Sequence, residues 1–169
     1  AEHTAAADLD AHERFMARLE ELGQLDRDVE GLPSVEQVRG LKARDQGLTR
    51  PELAVLNSYA KITLFDQLVA SDVPDDPHFK PLLVNYFPKG LHDFVEAMQS
   101  HRLKREIIST VLANEMINLG GPTFIHRAID STTAAVPAIA RAFEAGRQIF
   151  GFAEITDAIN ALDNKAPAS

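Results

Sequence analysis

The chain has 169 residues, of which 45% are apolar and 25% are charged, so it is long enough to form one domain with a hydrophobic core. It contains no cysteine, which excludes disulfides and thiolate metal sites. No apolar run approaches the roughly 18 residues that a membrane-spanning helix needs, and the sequence does not open with a secretory signal pattern. We therefore expect a cytoplasmic protein without a membrane partner.

The charge is spread unevenly along the chain. Residues 1–36 carry ten acidic and three basic side chains, the remaining residues carry fifteen and fourteen, and the net charge is −8. Proteins that bind nucleic acid usually carry a basic excess that follows the phosphates. We therefore expect no nucleic-acid partner, and we interpret the acidic start as a solvated helix face.

Three helices are predicted before residue 48. Apolar side chains at helical spacing indicate an amphipathic helix over residues 8–22, and a short helix is indicated at 25–32. Ser34 begins the third, because Gln37 stands three residues later, as in a capping box. This third helix is predicted to continue to Gly47.

Residues 48–71 carry the clearest helical pattern. Thr49 can cap the first turn, Glu52 can reach back to the cap amide, and Pro51 stands where a missing N–H costs nothing. The apolar residues form two stripes, which are Leu53, Leu56, Ala60, Leu64 and Leu68, and Val55, Tyr59, Ile62 and Val69. Two stripes predict a helix that is packed on most of its circumference and serves as the centre of the domain.

Proline and aspartate break the pattern at 71–77, and a helix follows at 79–87. Residues 88–119 contain no strong breaker before Gly120, so they could form one long helix. We favour two helices that separate near Ser100 and His101, because a rod of this length is rare in a small domain. The second of them, at 101–119, is predicted to be buried.

Further helices are predicted at 135–150 and 152–162, and the sequence has no strand pattern. We therefore predict an all-α fold, an irregular multi-helix bundle of eight or nine helices. The predicted divisions are an acidic N-terminal helical segment (1–33), a helical bundle domain (34–163) and a loose tail (164–169).

The sequence offers little sign of catalytic chemistry. No two of its six histidines are spaced four residues apart as on a metal-binding helix face. The only paired glycines, Gly120 and Gly121, follow a helix and not a strand, so they do not form a dinucleotide-binding turn. We expect no catalytic, cofactor-binding or metal-binding residue in this segment.

Four basic side chains crowd the predicted start of the helix at 101–119, where the helix dipole disfavours each cation by ~0.3–1 kcal/mol. They are His101, Arg102, Lys104 and Arg105. Their placement indicates ion pairs with surface acids such as Glu96 and Glu106 or with an adjoining domain, or a site for an anion such as a phosphate, nucleotide or carboxylate. Arg50 has a similar ambiguity between an interdomain salt bridge and a solvated side chain.

Several segments carry a resemblance to a known family. Residues 48–56, Leu-Thr-Arg-Pro-Glu-Leu-Ala-Val-Leu, followed by Tyr-Ala-Lys-Ile at 59–62, resemble the C-terminal part of the large bacterial NAD-specific glutamate dehydrogenases. Further similar segments occur in the same order along residues 25–163. They are Tyr86-Phe87-Pro88, Leu112-Ala113-Asn114 with Asn118, Thr123-Phe124, and Leu162-Asp163. The sequence departs from the family at Asn57-Ser58 and at 132–135.

The resemblance implies a non-catalytic structural or regulatory domain of an enzyme that oxidises L-glutamate to 2-oxoglutarate and ammonia and reduces NAD. The NAD site and the catalytic residues would lie elsewhere in that polypeptide. Its other domains would be the partners of this one, and the whole would form a homo-oligomer. The alternative from a different class is a free-standing helical module that binds a partner protein.

Overall fold

The structure is a computed structural model that describes residues 3–163 and 165. It confirms the all-α prediction, because helices form nearly all of its regular structure. The α-helices are α1 (Leu9–Glu21), α2 (Arg27–Glu30), α3 (Val35–Ala43), α4 (Arg50–Val69), α5 (Lys80–Tyr86), α6 (Val95–Gln99), α7 (Lys104–Gly120), α8 (Phe124–Thr132), α9 (Val136–Ile149) and α10 (Phe152–Ala161). Short 3-10 turns connect several of them. These are Ala6–Asp8, Val73–Asp75, Pro77–Phe79 and Lys89–Phe94.

A small antiparallel sheet is the main departure from the sequence prediction. It joins β1 (His3–Ala5) to β2 (Gln46–Thr49), where no strand was predicted and where α3 was expected to reach Gly47. The prediction was wrong because α3 ends at Ala43, and Asp45 then takes a left-handed φ of 54°. Strands of three and four residues are also too short to display an alternating pattern.

Gly47 allows this close pairing of β1 with β2. A Cβ atom added there would overlap the Ala5 carbonyl oxygen and would lie 2.7 Å from Thr4 Oγ1. We expect Gly47→Ala to displace β1 and to lower the free energy of unfolding by about 1–3 kcal/mol, as overpacking does. Urea denaturation of the 169-residue chain would measure this. Gly90→Ala is the control, because its Cβ would meet nothing within 4 Å, and an equal loss in both variants would contradict the explanation.

Helix α4 begins as predicted and lies at the centre of the fold. The Thr49 N–H donates to the Glu52 carboxylate over 2.6 Å, which is the reciprocal bond of a capping box. The stripe from Leu56 to Leu68 is buried, mainly against α7. Of the second stripe, Val55, Tyr59 and Val69 are half-buried, and Ile62 is 56% exposed.

Helix α7 is the second buried helix, as predicted, and it is separate from α6. The chain leaves α6 at Ser100 and turns through residues 101–103 before α7 begins at Lys104. This confirms the two-helix alternative for residues 88–119. The buried face of α7 belongs to the same hydrophobic cluster as α4 and is formed by Ile108, Leu112, Ala113, Met116 and Ile117.

The acidic N-terminal part packs onto the same core. Phe15, Met16 and Leu19 of α1 are fully buried in the common cluster. Two acids of this part also have a defined partner. The guanidinium of Arg27, which is 6% exposed, donates to both carboxylate oxygens of Glu13 over 2.8 and 3.0 Å and to Glu20 over 2.9 Å. The boundary at residue 33 remains a prediction, and of the predicted loose tail only Lys165 lies among the described residues.

Candidate functional site

Arg105 joins α7 to the end of α4. Its guanidinium donates to the backbone carbonyls of Val69 and Ser71 over 2.8 and 2.7 Å and forms an ion pair with Asp75. The last carbonyls of a helix lack partners within the helix and carry the negative end of its dipole, so a cation is favourable there. The acid that pairs with Arg105 is Asp75, an acid that the sequence analysis did not name among the examples for this cluster.

A second arginine holds the other acids of the same turn. Arg141 of α9 contacts Asp76 over 3.1 Å and Asp72 over 3.0 Å. The backbone N–H of His78 and the Arg141 guanidinium lower the pKa of the Asp76 carboxyl. Sequence reasoning missed Arg141, although three aspartates in one short turn were a signal that basic partners lie close by.

The other residues of the predicted basic cluster remain on the surface. His101 and Arg102 are exposed in the turn before α7, and Lys104, the first residue of α7, is half-buried. The Nδ1 atom of His101 accepts a hydrogen bond from the Leu103 N–H over 3.2 Å. Its ring lies 6.0 Å from that of Phe87. The Phe87 ring in turn lies 5.5 Å from that of Tyr86, so exposed apolar side chains, Tyr86 and Leu103, lie close to the cluster.

Arg50 does not lie near this cluster. It is the first residue of α4 and is exposed, whereas Arg105 contacts the last residues of the same helix. A helix of 20 residues separates the two sites by roughly 28 Å at about 1.5 Å per residue. The five basic candidates therefore do not form one site, and their role toward an anion or another domain remains a proposal.

Several exposed apolar side chains lie at the C-terminal helices. We call this area the C-terminal apolar surface and define it by six side chains that are 40–77% exposed. They are Ile149, Phe150, Phe152, Ile155, Ile159 and Leu162. Scattered apolar residues on a surface are ordinary, but a cluster of large ones is typical of an interaction site.

A groove of about 500 Å³ lies between α1, α4 and α8. Its wall combines charges of both signs, with Arg14 and Arg18 from α1, Asp66 from α4 and Asp130 from α8. The His126 ring in this wall lies 4.7 Å from the ring of Phe15. Burial lowers the pKa of His126, against the opposing charge of Asp130.

His12 lies one turn before Phe15 on α1 and is buried. Burial lowers its pKa as well, and the nearby Arg127 adds to this effect while Asp8 opposes it. Its Nδ1 atom is buried without a hydrogen-bond partner among the described residues. Protonation of either histidine is therefore less favourable in the folded chain than in the unfolded one.

We expect the chain to lose stability as the pH falls below 6.5, the ordinary histidine pKa. The unfolded chain then gains protons that the folded chain binds less well, whereas above that pH both states are neutral and the effect vanishes. Urea denaturation at about pH 7.5 and about pH 5.5 would measure the loss. The double variant His12→Gln/His126→Gln should show a smaller difference between the two pH values, and an unchanged difference would contradict the assignment.

Neither a metal cluster nor a membrane-spanning element is found within residues 3–163 and 165. No group of three or more His, Asp or Glu side chains there is placed to hold a metal ion. No helix of that part of the chain is both long and apolar enough to cross a membrane.

Comparison with known proteins assigns the family. Residues 45–169 match the family model "Glutamate dehydrogenase, C-terminal". The chain belongs to this family. It is 44% identical over 158 residues to the NAD-specific glutamate dehydrogenase of Halomonas elongata and 42% identical to that of Pseudomonas aeruginosa, in each case over 93% of this chain and 10% of the relative. The enzyme of the same name from Mycobacterium tuberculosis is 32% identical over 140 residues, which are 82% of this chain and 9% of that protein.

The chain thus spans about a tenth of the length of the curated relatives that it matches. No solved structure gives a significant match. The segment matched as glutamate dehydrogenase C-terminal domain begins just before β2 and contains α4 and α7, the two central helices. The relatives also match most of the N-terminal part, whose buried residues share the core with α4.

The names of the relatives include NAD, and the described residues of this glutamate dehydrogenase C-terminal domain contain no Rossmann-type dinucleotide-binding unit. A dinucleotide fold requires parallel strands joined through a helix, with a glycine-rich turn at the helix start. The two described strands are antiparallel and have three and four residues. No part of residues 3–163 provides such a unit.

Proposed function

We propose that this chain is the C-terminal, non-catalytic helical domain of a large NAD-dependent glutamate dehydrogenase. The whole enzyme would oxidise L-glutamate to 2-oxoglutarate and ammonia and transfer a hydride to NAD. The observation that carries the proposal is the 44% identity over 93% of the chain to one tenth of an enzyme of that name. This pattern is expected of one domain in a much longer polypeptide.

The role of the domain itself is to brace the rest of the enzyme. Two features support this proposal. Several of its charged side chains hold its own helices together, as Arg105 and Arg141 do at the acidic turn. The domain also exposes large apolar side chains at its C-terminal helices, and no group of His, Asp or Glu among the described residues is placed to hold a metal ion. We further propose that the whole enzyme is cytoplasmic and homo-oligomeric, with its NAD site in another domain.

The first test is to size the native polypeptide. An antibody against this segment, used on a lysate of the source organism, should detect a band many times larger than 18.5 kDa. That band should form NADH when glutamate and NAD are supplied. A band near 18.5 kDa would reject the enzyme and would leave the free-standing interaction module as the function.

The division of labour can be tested separately. The 169-residue chain, checked for helical content by circular dichroism, should form no NADH from glutamate and NAD. The full-length polypeptide should do so under the same conditions. Turnover by the 169 residues alone would reject the non-catalytic role.

A further inference from the structure

We propose that the C-terminal apolar surface docks onto another domain of the same polypeptide, through an apolar area with a basic rim. This inference rests on the proposed function, because it requires that the chain is one domain of a longer enzyme. It adds which face of the domain makes the contact and what chemistry the receiving face has.

The exposed apolar side chains of α10 lie on one side of the helix. Phe152, Ile155, Ile159 and Leu162 recur at spacings of three and four residues, so they lie along one side of the helix. Ile149 and Phe150, at the end of α9, directly precede α10 in the chain and are also exposed. The most exposed of the six side chains is Ile149, at 77%, and the most exposed one within α10 is Ile159, at 61%.

The energetics of α10 require a covering partner. It has ten residues, and helices shorter than about 12–15 residues are marginal in water without tertiary packing. None of the described side chains of α10 is buried, and its main neighbour is α9. The stripe of α10 is 40–61% exposed, and a helix with a largely exposed apolar stripe gains further stability when another surface packs onto that stripe.

The charge of this segment indicates which kind of surface packs onto the C-terminal apolar surface. Between Gln148 and Lys165 the chain has three acidic side chains, Glu154, Asp157 and Asp163, and no lysine or arginine. Asp157 lies on the side of α10 opposite to the apolar stripe, but Glu154 and Asp163 directly adjoin the stripe residues Ile155 and Leu162 in sequence. A second copy that presented the same face would bring these two carboxylates close to those of its partner. A receiving surface with basic residues around an apolar centre would instead be complementary to it.

The much greater length of the relatives indicates where that receiving surface lies. About nine tenths of the length of each matched enzyme lies outside the match. A domain of the same polypeptide is present at a fixed and high effective concentration, so even a modest apolar contact is populated. We therefore assign the occupant to the same polypeptide.

Two variants of the full-length polypeptide test the docking. Ile159→Asp adds a carboxylate on the stripe, and Asn160→Asp adds the same charge at the adjacent position, about 100° around the helix. Hydrogen exchange followed by mass spectrometry would measure the protection of the α10 amides. We expect Ile159→Asp to accelerate their exchange at least about 10-fold and Asn160→Asp to change it less than about 2-fold. Equal acceleration in both variants, or none in either, would overturn the proposal.

A photocrosslinker incorporated at Ile155 of the full-length polypeptide identifies the occupant. We expect an intrachain crosslink, at the mass of one polypeptide, to a segment outside these 169 residues that carries lysine or arginine. A crosslink at twice that mass would show contact with a second copy, and the absence of any crosslink would show an uncovered surface. Either result would overturn the docking. NADH formation from glutamate by the unmodified polypeptide tests the enzyme assignment separately, so that the two proposals can fail independently.

Discussion

Replacing Arg27 with alanine is expected to lower the free energy of unfolding of the 169-residue chain by about 3 kcal/mol. Arg27 is 6% exposed, and its guanidinium holds Glu13, Glu20 and the Pro33 carbonyl. Removing one member of a buried ion pair is costly, at about 3–5 kcal/mol, because the remaining charge is left without compensation. The partial exposure of Glu13 and Glu20 puts the expected loss at the lower end.

The matched control is Arg18→Ala, which replaces an arginine of α1. Arg18 pairs with Glu21 over 3.2 Å, but both side chains are more than half exposed, and such pairs contribute about 0–1 kcal/mol. Urea denaturation of both variants and of the unmodified chain would measure the difference. If Arg27→Ala were no more destabilising than Arg18→Ala, burial of the Arg27 cluster would not matter to stability.

A double variant distinguishes the loss of the Arg27–Glu13 ion pair from the cost of leaving the Glu13 charge without a partner. In Arg27→Met/Glu13→Gln the buried cation and its bidentate partner are both removed, so less charge is left uncompensated. We expect this variant to regain part of the stability that Arg27→Ala loses. A double variant less stable than the single one would show that an uncompensated Glu13 charge is not the cause of the stability that Arg27→Ala loses.

The parts of the fold that the sequence predicted correctly depend on neighbouring residues. The cap at Thr49 and the cap at Ser34 each involve a partner three residues away, so their signals are complete within one turn. The buried stripe of α4 and the break between α6 and α7 are local in the same sense. Such features can be predicted from one chain without knowledge of its tertiary contacts.

The contacts that the sequence did not predict join residues that are distant along the chain. Arg27 reaches Glu13 across 14 positions, Arg105 reaches Asp75 across 30, and Arg141 reaches Asp76 across 65. Many acids and bases could pair at such separations, and only the packing of helices selects among them. The basic cluster at the start of α7 was noticed for a sound reason, but Arg105 could be assigned only when the end of α4 was seen beside it.

Replacing Leu64 with alanine is expected to destabilise the chain by about 2–5 kcal/mol, the range for buried leucines. Leu64 is 1% exposed in the main cluster, on the face of α4 that packs against α7. The substitution removes apolar contacts from the centre of the fold and leaves a cavity, because both helices are held in place by their other buried residues. The urea midpoint of the variant, with an unchanged slope, would measure the loss.

Ile62→Ala is the control that distinguishes the two stripes of α4. Ile62 is 56% exposed beside a shallow apolar depression formed with Phe65 and Ala113, so its loss should change stability by less than about 0.5 kcal/mol. Alanine also favours the helix more than isoleucine does. A large loss at Ile62 would mean that both stripes are buried, as the sequence alone predicted. A small loss would mean that this apolar face contributes little to folding and remains available for contact with the rest of the enzyme.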